Sequence, residues 1–323
     1  MAAPAASIDA LFDAARAGDR PALARLLSTI ERGGEGARRV AARATPLAGR
    51  AYSVGLTGAP GAGKSTLTSG LVGHLRSGGS RVAVLAIDPT SPFTGGAILG
   101  DRVRMQDHAL DDGVFIRSMA TRGHLGGLSL AAPEAVRLLD AAGWPWVLVE
   151  TVGVGQVEVE IAGSADTTVV VVNPGWGDAV QASKAGLMEI ADVFVINKAD
   201  RHGVEQTRAD LEMMIDLADR AHDGWRPPVV NCVATNGTGI ADVWDAVLAH
   251  RTAITTSGEL DRRRAARRLD TLRRIVMRRL EQRAQDAVGA AWSEIESAVA
   301  AGTRDPWSAS DDLLAAILPR ASD

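Results

Sequence analysis

Short apolar runs alternate with helical stretches through the middle of the chain. Between residues 51 and 250, segments in which apolar residues recur at helical spacing separate these runs. The runs are Tyr52–Leu56, Val82–Ile87, Trp146–Val149, Thr168–Val172, Val193–Ile196 and Val229–Val233. Such alternation predicts an α/β fold, in which helices cover both faces of a mostly parallel sheet and ligands bind at the carboxyl ends of its strands.

Both ends of the chain have helical patterns instead. Residues 1–50 are rich in Ala and Arg and carry apolar residues at helical spacing, namely Leu11, Ala15, Leu23, Leu26 and Leu27. Beyond Gly258 two further apolar stripes follow, one of Leu269, Leu272, Val276 and Leu280 and one of Trp292, Ile295 and Val299. We therefore predict an N-terminal helical extension over 1–50, an α/β domain over 51–257 and a helical C-terminal arm over 258–323.

Composition and charge narrow the class of protein. The 323 residues are 46% hydrophobic, which is enough for a sizeable core, and the net charge of −4 argues against general nucleic-acid binding. The segment 262–283 holds ten arginines and two acidic residues. It lacks the interleaved aromatic residues of a nucleic-acid reader, so we expect a solvated helix face or pairing with acids of a neighbouring subunit.

Targeting and cysteine signals point to the cytoplasm. No segment approaches eighteen consecutive apolar residues, and Met1–Ser7 lacks the basic start and apolar stretch of a signal peptide. The single cysteine, Cys232, excludes an internal disulfide framework and a cysteine-rich metal site. We expect a cytoplasmic protein without a membrane partner.

A phosphate-binding loop follows the first apolar run. Residues 58–65 fit the pattern G-x-x-x-x-G-K-[ST], and a helical stretch, Ser65–Leu75, comes directly after them. Glycines let backbone N–H groups converge on phosphates at a helix N-terminus, Lys64 would neutralise phosphate charge, and Ser65 would offer its hydroxyl to Mg²⁺. The predicted nucleotide-binding residues here are Gly58, Ala59, Pro60, Gly61, Ala62, Gly63, Lys64, Ser65 and Thr66.

A second motif indicates which base is bound. Asn197, Lys198 and Asp200 form the N-K-x-D pattern at the end of an apolar run. The carboxylate of Asp200 can accept hydrogen bonds from N1–H and the 2-amino group of guanine, whereas adenine has no matching pair of donors. The sequence therefore predicts GTP and GDP as ligands.

Further candidates stand where other strands end. Glu150 would hold Mg²⁺ through its water shell, and the backbone of Gly153 would approach the γ-phosphate. Asp88 and Asp101 are acids that could orient Mg²⁺-bound waters or the attacking water. Helix capping or a surface ion pair is the alternative for both acids, and Asp101 has Arg102 and Arg104 close by for such a pair.

Together these motifs resemble the MeaB/ArgK family of GTPases, the bacterial counterparts of the human methylmalonic aciduria type A protein. The resemblance covers about residues 50–240 and rests on the segments GLTGAPGAGKST, AIDPTSP, GDRVRM, ETVGVGQ, GLMEIAD and NKAD. It implies a homodimeric P-loop GTPase that acts as a chaperone for adenosylcobalamin-dependent methylmalonyl-CoA mutase, gating cofactor delivery and protecting the mutase. An older family label, arginine/ornithine transport ATPase, conflicts with the guanine-specific motif.

The resemblance also implies roles for individual residues. The family's phosphate-loop lysine falls on Lys64, its Mg²⁺-side serine on Ser65 and its switch I aspartate on Asp101. Its strand-end acids fall on Asp88 and Glu150. Its base-reading pair falls on Asn197 and Asp200. The C-terminal arm is implied to dimerise.

The chain departs from the family pattern at two places. The switch III segment reads GDAVQA over 177–182, where relatives often have GDELQG. Val233 and Ala234 replace a base-supporting Ser-Ala, which keeps the backbone N–H of Ala234 but loses a hydroxyl. In addition, Val154 stands where Ras-type enzymes place a water-orienting glutamine, so we expect slow intrinsic hydrolysis unless Gln156 reaches the water.

Three alternatives to a mutase chaperone remain open. A metallochaperone GTPase delivering nickel or cobalt would usually carry Cys or His clusters. A metabolic P-loop kinase would need a substrate-binding lid and no N-K-x-D motif. A non-enzymatic scaffold would bind nucleotide only for stability.

Overall fold

Seven parallel strands form the central sheet of the protein. A computed structural model describes residues 7–88, 108, 110–120, 127–151, 164–175, 188–217 and 224–317 of the chain. The strands are β1 Tyr52–Gly58, β2 Val82–Asp88, β3 Val114–Ala120, β4 Trp146–Thr151, β5 Thr167–Val172, β6 Val193–Asn197 and β7 Val229–Cys232. They lie in the order β3-β2-β4-β1-β5-β6-β7. The predicted parallel sheet is confirmed.

Helices flank the sheet and occupy both ends of the chain. They are α1 Ile8–Arg16, α2 Arg20–Arg32, α3 Gly34–Ala44, α4 Lys64–Ser77, α5 Gly127–Ala141, α6 Val204–Leu217, α7 Ile240–Thr256, α8 Glu259–Val288, α9 Ala290–Ala300 and α10 Pro306–Ile317. None of the helices within the described ranges is both long and apolar enough to cross a membrane.

The central strands place their carboxyl ends along one edge of the sheet. Strand β1 lies between β4 and β5, and every residue of β1 and β5 is buried. In the register, Leu56 pairs with Glu150 and Gly58 with Val171. Because all strands run the same way, the carboxyl ends of β1, β4, β5 and β6 meet at this edge, where parallel sheets bind ligands.

The edge strand β3 was missed by the sequence analysis. Its run of apolar residues is interrupted by Arg117 and Ser118, so it lacks the pattern of a buried central strand. The N-terminal helices cover it: Arg20 donates to the carbonyl of Val114, and Arg117 Nη2 donates to Glu31 Oε2 at 2.8 Å. These contacts protect an otherwise open sheet edge.

The chain divides into two compact units, Met1–Arg264 and Ala265–Asp323. In the first unit the apolar stripe of the N-terminal helices is buried, with Leu26 and Leu27 fully inaccessible. In the second unit large apolar side chains are exposed, among them Leu269, Leu272, Val276, Leu280 and Trp307.

Arg264, in the first turns of α8, contacts the residues that lead into β1 and β5, at the amino ends of the strands, which form the base of the sheet. Its guanidinium donates to both carboxylate oxygens of Asp166, at 3.0 and 2.7 Å, and Asp166 is nearly inaccessible. It also donates to the carbonyls of Gly49 and Ala51, at 3.0 and 2.7 Å. One side chain therefore joins the start of α8, the residue before β5 and the linker that enters β1.

Arg263 contacts the neighbouring strand in a similar way. Its Nη1 atom lies 3.0 Å from Asp192 Oδ1, and His250 Nε2 lies 3.1 Å from the same oxygen. Thr168 N donates to the other oxygen of Asp192. Burial raises the pKa of Asp192, but the hydrogen bond and charge of His250 and the charge of Arg263 hold it below its usual range. Its stabilisation is therefore present at neutral pH and lost as the pH falls through that lowered pKa.

These pairs correct one expectation. The arginines of segment 262–283 were expected to lie on a solvated face or to meet acids of a neighbouring subunit. Arg263 and Arg264 instead pair with buried acids of the same chain. The two aspartates lie about 70 and 100 residues away in sequence, so no local pattern could have indicated this pairing.

Replacing Arg264 by alanine is expected to lower the free energy of unfolding by about 3 kcal/mol, because the buried carboxylate of Asp166 would lose the positive charge and both hydrogen bonds of the guanidinium. The matched control is Arg262→Ala on the same helix. Arg262 is largely exposed and pairs with Glu259, so its loss should cost less than about 1 kcal/mol. Urea unfolding of both variants provides the measurement. Equal destabilisation would contradict the assignment.

Candidate nucleotide-binding site

A tight loop connects β1 to α4 at the carboxyl edge of the sheet. Gly58 has φ 137°, and a Cβ atom there would lie 2.0 Å from the carbonyl oxygen of Val171 on β5. Gly63 has φ 93°, and a Cβ atom there would lie 2.3 Å from Asn197 Nδ2. Only glycine fits at either position. The loop is therefore packed directly against β5 and the residue that ends β6.

Lys64 lies across this loop. Its side chain is buried, and its Nζ atom donates to the carbonyl of Gly58 at 2.7 Å and to that of Ala59 at 3.1 Å. These bonds hold the ammonium group against the backbone of the loop. A positive charge in this position suits β- and γ-phosphates.

Ser65 and Glu150 form a pair of oxygen ligands beside the lysine. Ser65 Oγ donates to Glu150 Oε1 at 2.5 Å, and both side chains are buried. The pairing of β4 with β1 places Glu150 there, because it lies opposite Leu56. A hydroxyl and a carboxylate are ligands that Mg²⁺ accepts, so these two residues fit a magnesium site. Within the described ranges, no group of three or more His, Cys, Asp or Glu side chains is placed to hold a metal ion.

Asn197 connects the end of β6 to the glycine-rich loop of residues 58–65. It is buried, its Nδ2 atom donates to Ala62 O at 2.8 Å, and its Oδ1 atom accepts from Ala234 N at 3.1 Å. Asn197 was predicted to read the base together with Asp200. In the structure its amide joins the end of β6 to the loop of residues 58–65 and to the residue Ala234 after β7.

Lys198 and Asp200 complete this side of the site. Lys198 is the one residue other than glycine with positive φ in the described part of the chain, and its Nζ atom donates to Gly61 O at 2.7 Å. Asp200 lies in the exposed turn that follows, so its carboxylate is accessible to a base. The backbone of Ala199 donates to the carbonyl of Cys232, the last residue of β7.

Cys232 was not assigned to the site from the sequence. Its carbonyl accepts from Ala199 N at 3.0 Å, which fixes the turn before Asp200. Its thiol is buried, and burial raises the pKa of that thiol to about 11. The sequence did contain one signal for this role: Cys232 directly precedes Val233 and Ala234, which were predicted to support the base.

The structure brings together six of the predicted residues around the loop of residues 58–65: Lys64, Ser65, Glu150, Asn197, Lys198 and Ala234. Asp88 ends β2 at the same edge, and its side chain is outside the description. The described residues do not include Asp101, Gly153, Val154, Gln156 or the switch III residues 177–182. Predictions on those residues stay predictions.

Comparisons with known proteins agree on one family. The family described as methylmalonyl Co-A mutase-associated GTPase MeaB matches residues 23–289. A protein of Pyrococcus abyssi whose name presents it as a candidate GTPase is 50% identical, over 96% of this chain and 97% of that protein. GTPase ArgK of Escherichia coli is 44% identical, over 71% of this chain and 70% of its own length. The crystal structure of a LAO/AO transport system kinase has a TM-score of 0.72 at 28% identity, and the match covers 97% of this chain and 98% of that one.

Proposed function

The chain belongs to the MeaB family of GTPases, and on this basis we propose that it is a chaperone for an adenosylcobalamin-dependent acyl-CoA mutase of the methylmalonyl-CoA type. In this role it gates delivery of the cofactor and protects the mutase from inactivation. The observation that carries the proposal is the family match over residues 23–289, because the family is described by its association with that mutase.

The nucleotide chemistry of the proposal is hydrolysis of GTP to GDP and phosphate. Lys64 neutralises charge on the β- and γ-phosphates, and Asp200 accepts hydrogen bonds from guanine. Ser65 and Glu150 would hold Mg²⁺, directly or through its water shell. When bound, Mg²⁺ neutralises charge that develops on the phosphates during transfer. Lys64 and Ser65 begin α4 directly after the phosphate-binding loop, Glu150 lies near the end of β4, and Asp200 follows the end of β6. The carboxyl edge of the sheet therefore positions all four side chains.

Because intrinsic GTP hydrolysis is expected to be slow, we expect the mutase to accelerate it. A partner shifts the conformational equilibrium of a GTPase only by binding one state better than another. We propose that the cognate mutase binds the hydrolysis-competent state best and that the segment Pro174–Lys184, which includes the switch III residues 177–182, is its contact.

The test is phosphate release from GTP by the full chain, alone and with purified methylmalonyl-CoA mutase. We expect at least about tenfold acceleration, an effect within the known range of allosteric coupling. The double variant Asp178→Ala, Gln181→Ala should lose most of it while keeping its affinity for GTP. Unchanged hydrolysis with the mutase would contradict the chaperone role, and preference for ATP would favour a kinase.

We further propose that the protein is a cytoplasmic homodimer joined through its C-terminal arm. The stripe Leu269, Leu272, Val276 and Leu280 is about half exposed at each position, an apolar face that a second copy would bury. In the described residues of the second unit few side chains are buried, namely Thr271, Ala284 and Ala309.

Leu272→Asp is expected to convert the dimer to a monomer, because it places a charge in the apolar stripe. The matched control is Met213→Asp on α6, which changes an equally exposed apolar residue of the other unit and should leave the dimer intact. Light scattering at micromolar concentration gives the mass. A monomeric unmutated chain would contradict the homodimer.

A further inference from the structure

Helix α6 buries one polar residue in an otherwise apolar stripe. The buried positions of the helix are Val204, Thr207, Leu211 and Ile215, which follow helical spacing. Three of them pack in the core formed with β5 and β6, beside Val172. Thr207 has 4% of its surface exposed. A valine would have the same shape, so the hydroxyl calls for a specific partner.

That partner is the backbone of the segment that leaves β5. Gly175 N donates to Thr207 Oγ1 at 3.2 Å. Gly175 lies three residues beyond Val172, the end of β5, and has φ 86°. The same segment lies close to α6 at a second point, because a Cβ atom on Gly203 would lie 3.8 Å from Pro174 Cβ. The exit of β5 therefore rests on the first turn of α6.

The first turn of α6 is also the continuation of the base-binding loop. Helix α6 begins four residues after Asp200, and Arg201 N donates to Lys198 O at 3.0 Å within the intervening turn. Thr207 N in turn donates to the carbonyl of Gly203. A short run of backbone thus connects the carboxylate proposed to read guanine to the hydroxyl that holds Gly175.

We propose that Thr207 is a positioning residue that couples guanine binding to the backbone at the exit of β5. This coupling rests on the proposed GTPase site, and it does not depend on which mutase is the partner. When a guanine base engages Asp200, the turn before α6 becomes fixed and the hydrogen bond from Gly175 is strengthened. Coupling of this kind is reciprocal, so any partner that orders Gly175 also raises the affinity for guanine nucleotide.

The test is hydrogen exchange of the Gly175 amide in the full chain, with and without GDP. In the unmutated protein GDP should slow this exchange at least about fivefold. In Thr207→Val the exchange without nucleotide should be about fivefold faster than in the unmutated protein, the change expected for one ordinary hydrogen bond, and GDP should no longer slow it. Thr207→Ser, which keeps the hydroxyl, should restore both effects.

The outcomes separate this inference from the proposed function. GDP affinity is measured on the same samples and should stay within about threefold in Thr207→Val. If the unmutated protein fails to bind GDP, the GTPase site is wrong. If it binds GDP but the Gly175 amide does not respond, or if Thr207→Val responds as the unmutated protein does, the coupling is wrong. Should the valine variant fail to fold, the response of the unmutated protein and of Thr207→Ser still decides.

Discussion

Replacing Lys64 by alanine is expected to reduce GTP hydrolysis by at least about a hundredfold. The ammonium group of Lys64 donates hydrogen bonds to the carbonyls of Gly58 and Ala59 in the phosphate-binding loop. The lysine is buried, so its positive charge is held in place within the loop. Removing a preorganised charge from beside the reacting phosphates costs this much in comparable sites. Single-turnover hydrolysis at saturating GTP measures the loss.

A second variant separates phosphate charge from loop support. Lys64→Gln keeps an N–H donor that can reach toward the loop carbonyls but carries no charge. We expect it to be nearly as inactive as Lys64→Ala, with an unchanged free energy of unfolding. Hydrolysis by the glutamine variant at the unmutated rate would show that the lysine supports the loop without acting on the phosphates.

Asp200→Asn is expected to weaken GTP binding at least about thirtyfold and to shift preference toward xanthine nucleotides. The carboxylate is accessible in the turn after Asn197, and an amide there can no longer accept both hydrogen bonds from guanine. An amide can donate instead to the 2-carbonyl of xanthine. Titration with GTP, xanthosine triphosphate and ATP measures the change.

The matched control for this variant is Asp210→Asn. Asp210 lies on α6 and accepts from Gln206 on the surface of the helix, so its replacement should leave nucleotide binding unchanged. Equal affinity of the unmutated protein for ATP and GTP would contradict base reading by Asp200.

Local motifs were sufficient to predict much of the sheet edge. The apolar run that begins at Tyr52 and the glycine-rich loop after it predict β1 and the start of α4, because both signals lie within about 25 residues of sequence. The rule that parallel strands end at one edge then brings Glu150 to Ser65, as the structure has it. Functional residues that lie close together in the sequence can be predicted in this way.

Contacts between distant segments were not predictable. The amide of Asn197 reaches Ala62 across 135 positions, and Arg264 reaches Asp166 across 98. Strand β3 was missed because Arg117 breaks its apolar pattern, and the partners of that arginine, Ser28 and Glu31, lie in a helix of the N-terminal extension. A single sequence does not show which distant residue forms the hydrogen bond that a buried polar group requires.

The position of Arg264 has a consequence for how the protein is synthesised. The strand whose entry it fixes is made first among the strands, yet the arginine itself is made some two hundred residues later. Domains generally begin to fold while the ribosome is still translating them. A nascent chain can pair Asp166 with Arg264 only after the 98 residues that separate them have also emerged, so the base of the sheet is completed well after all of its strands have been made.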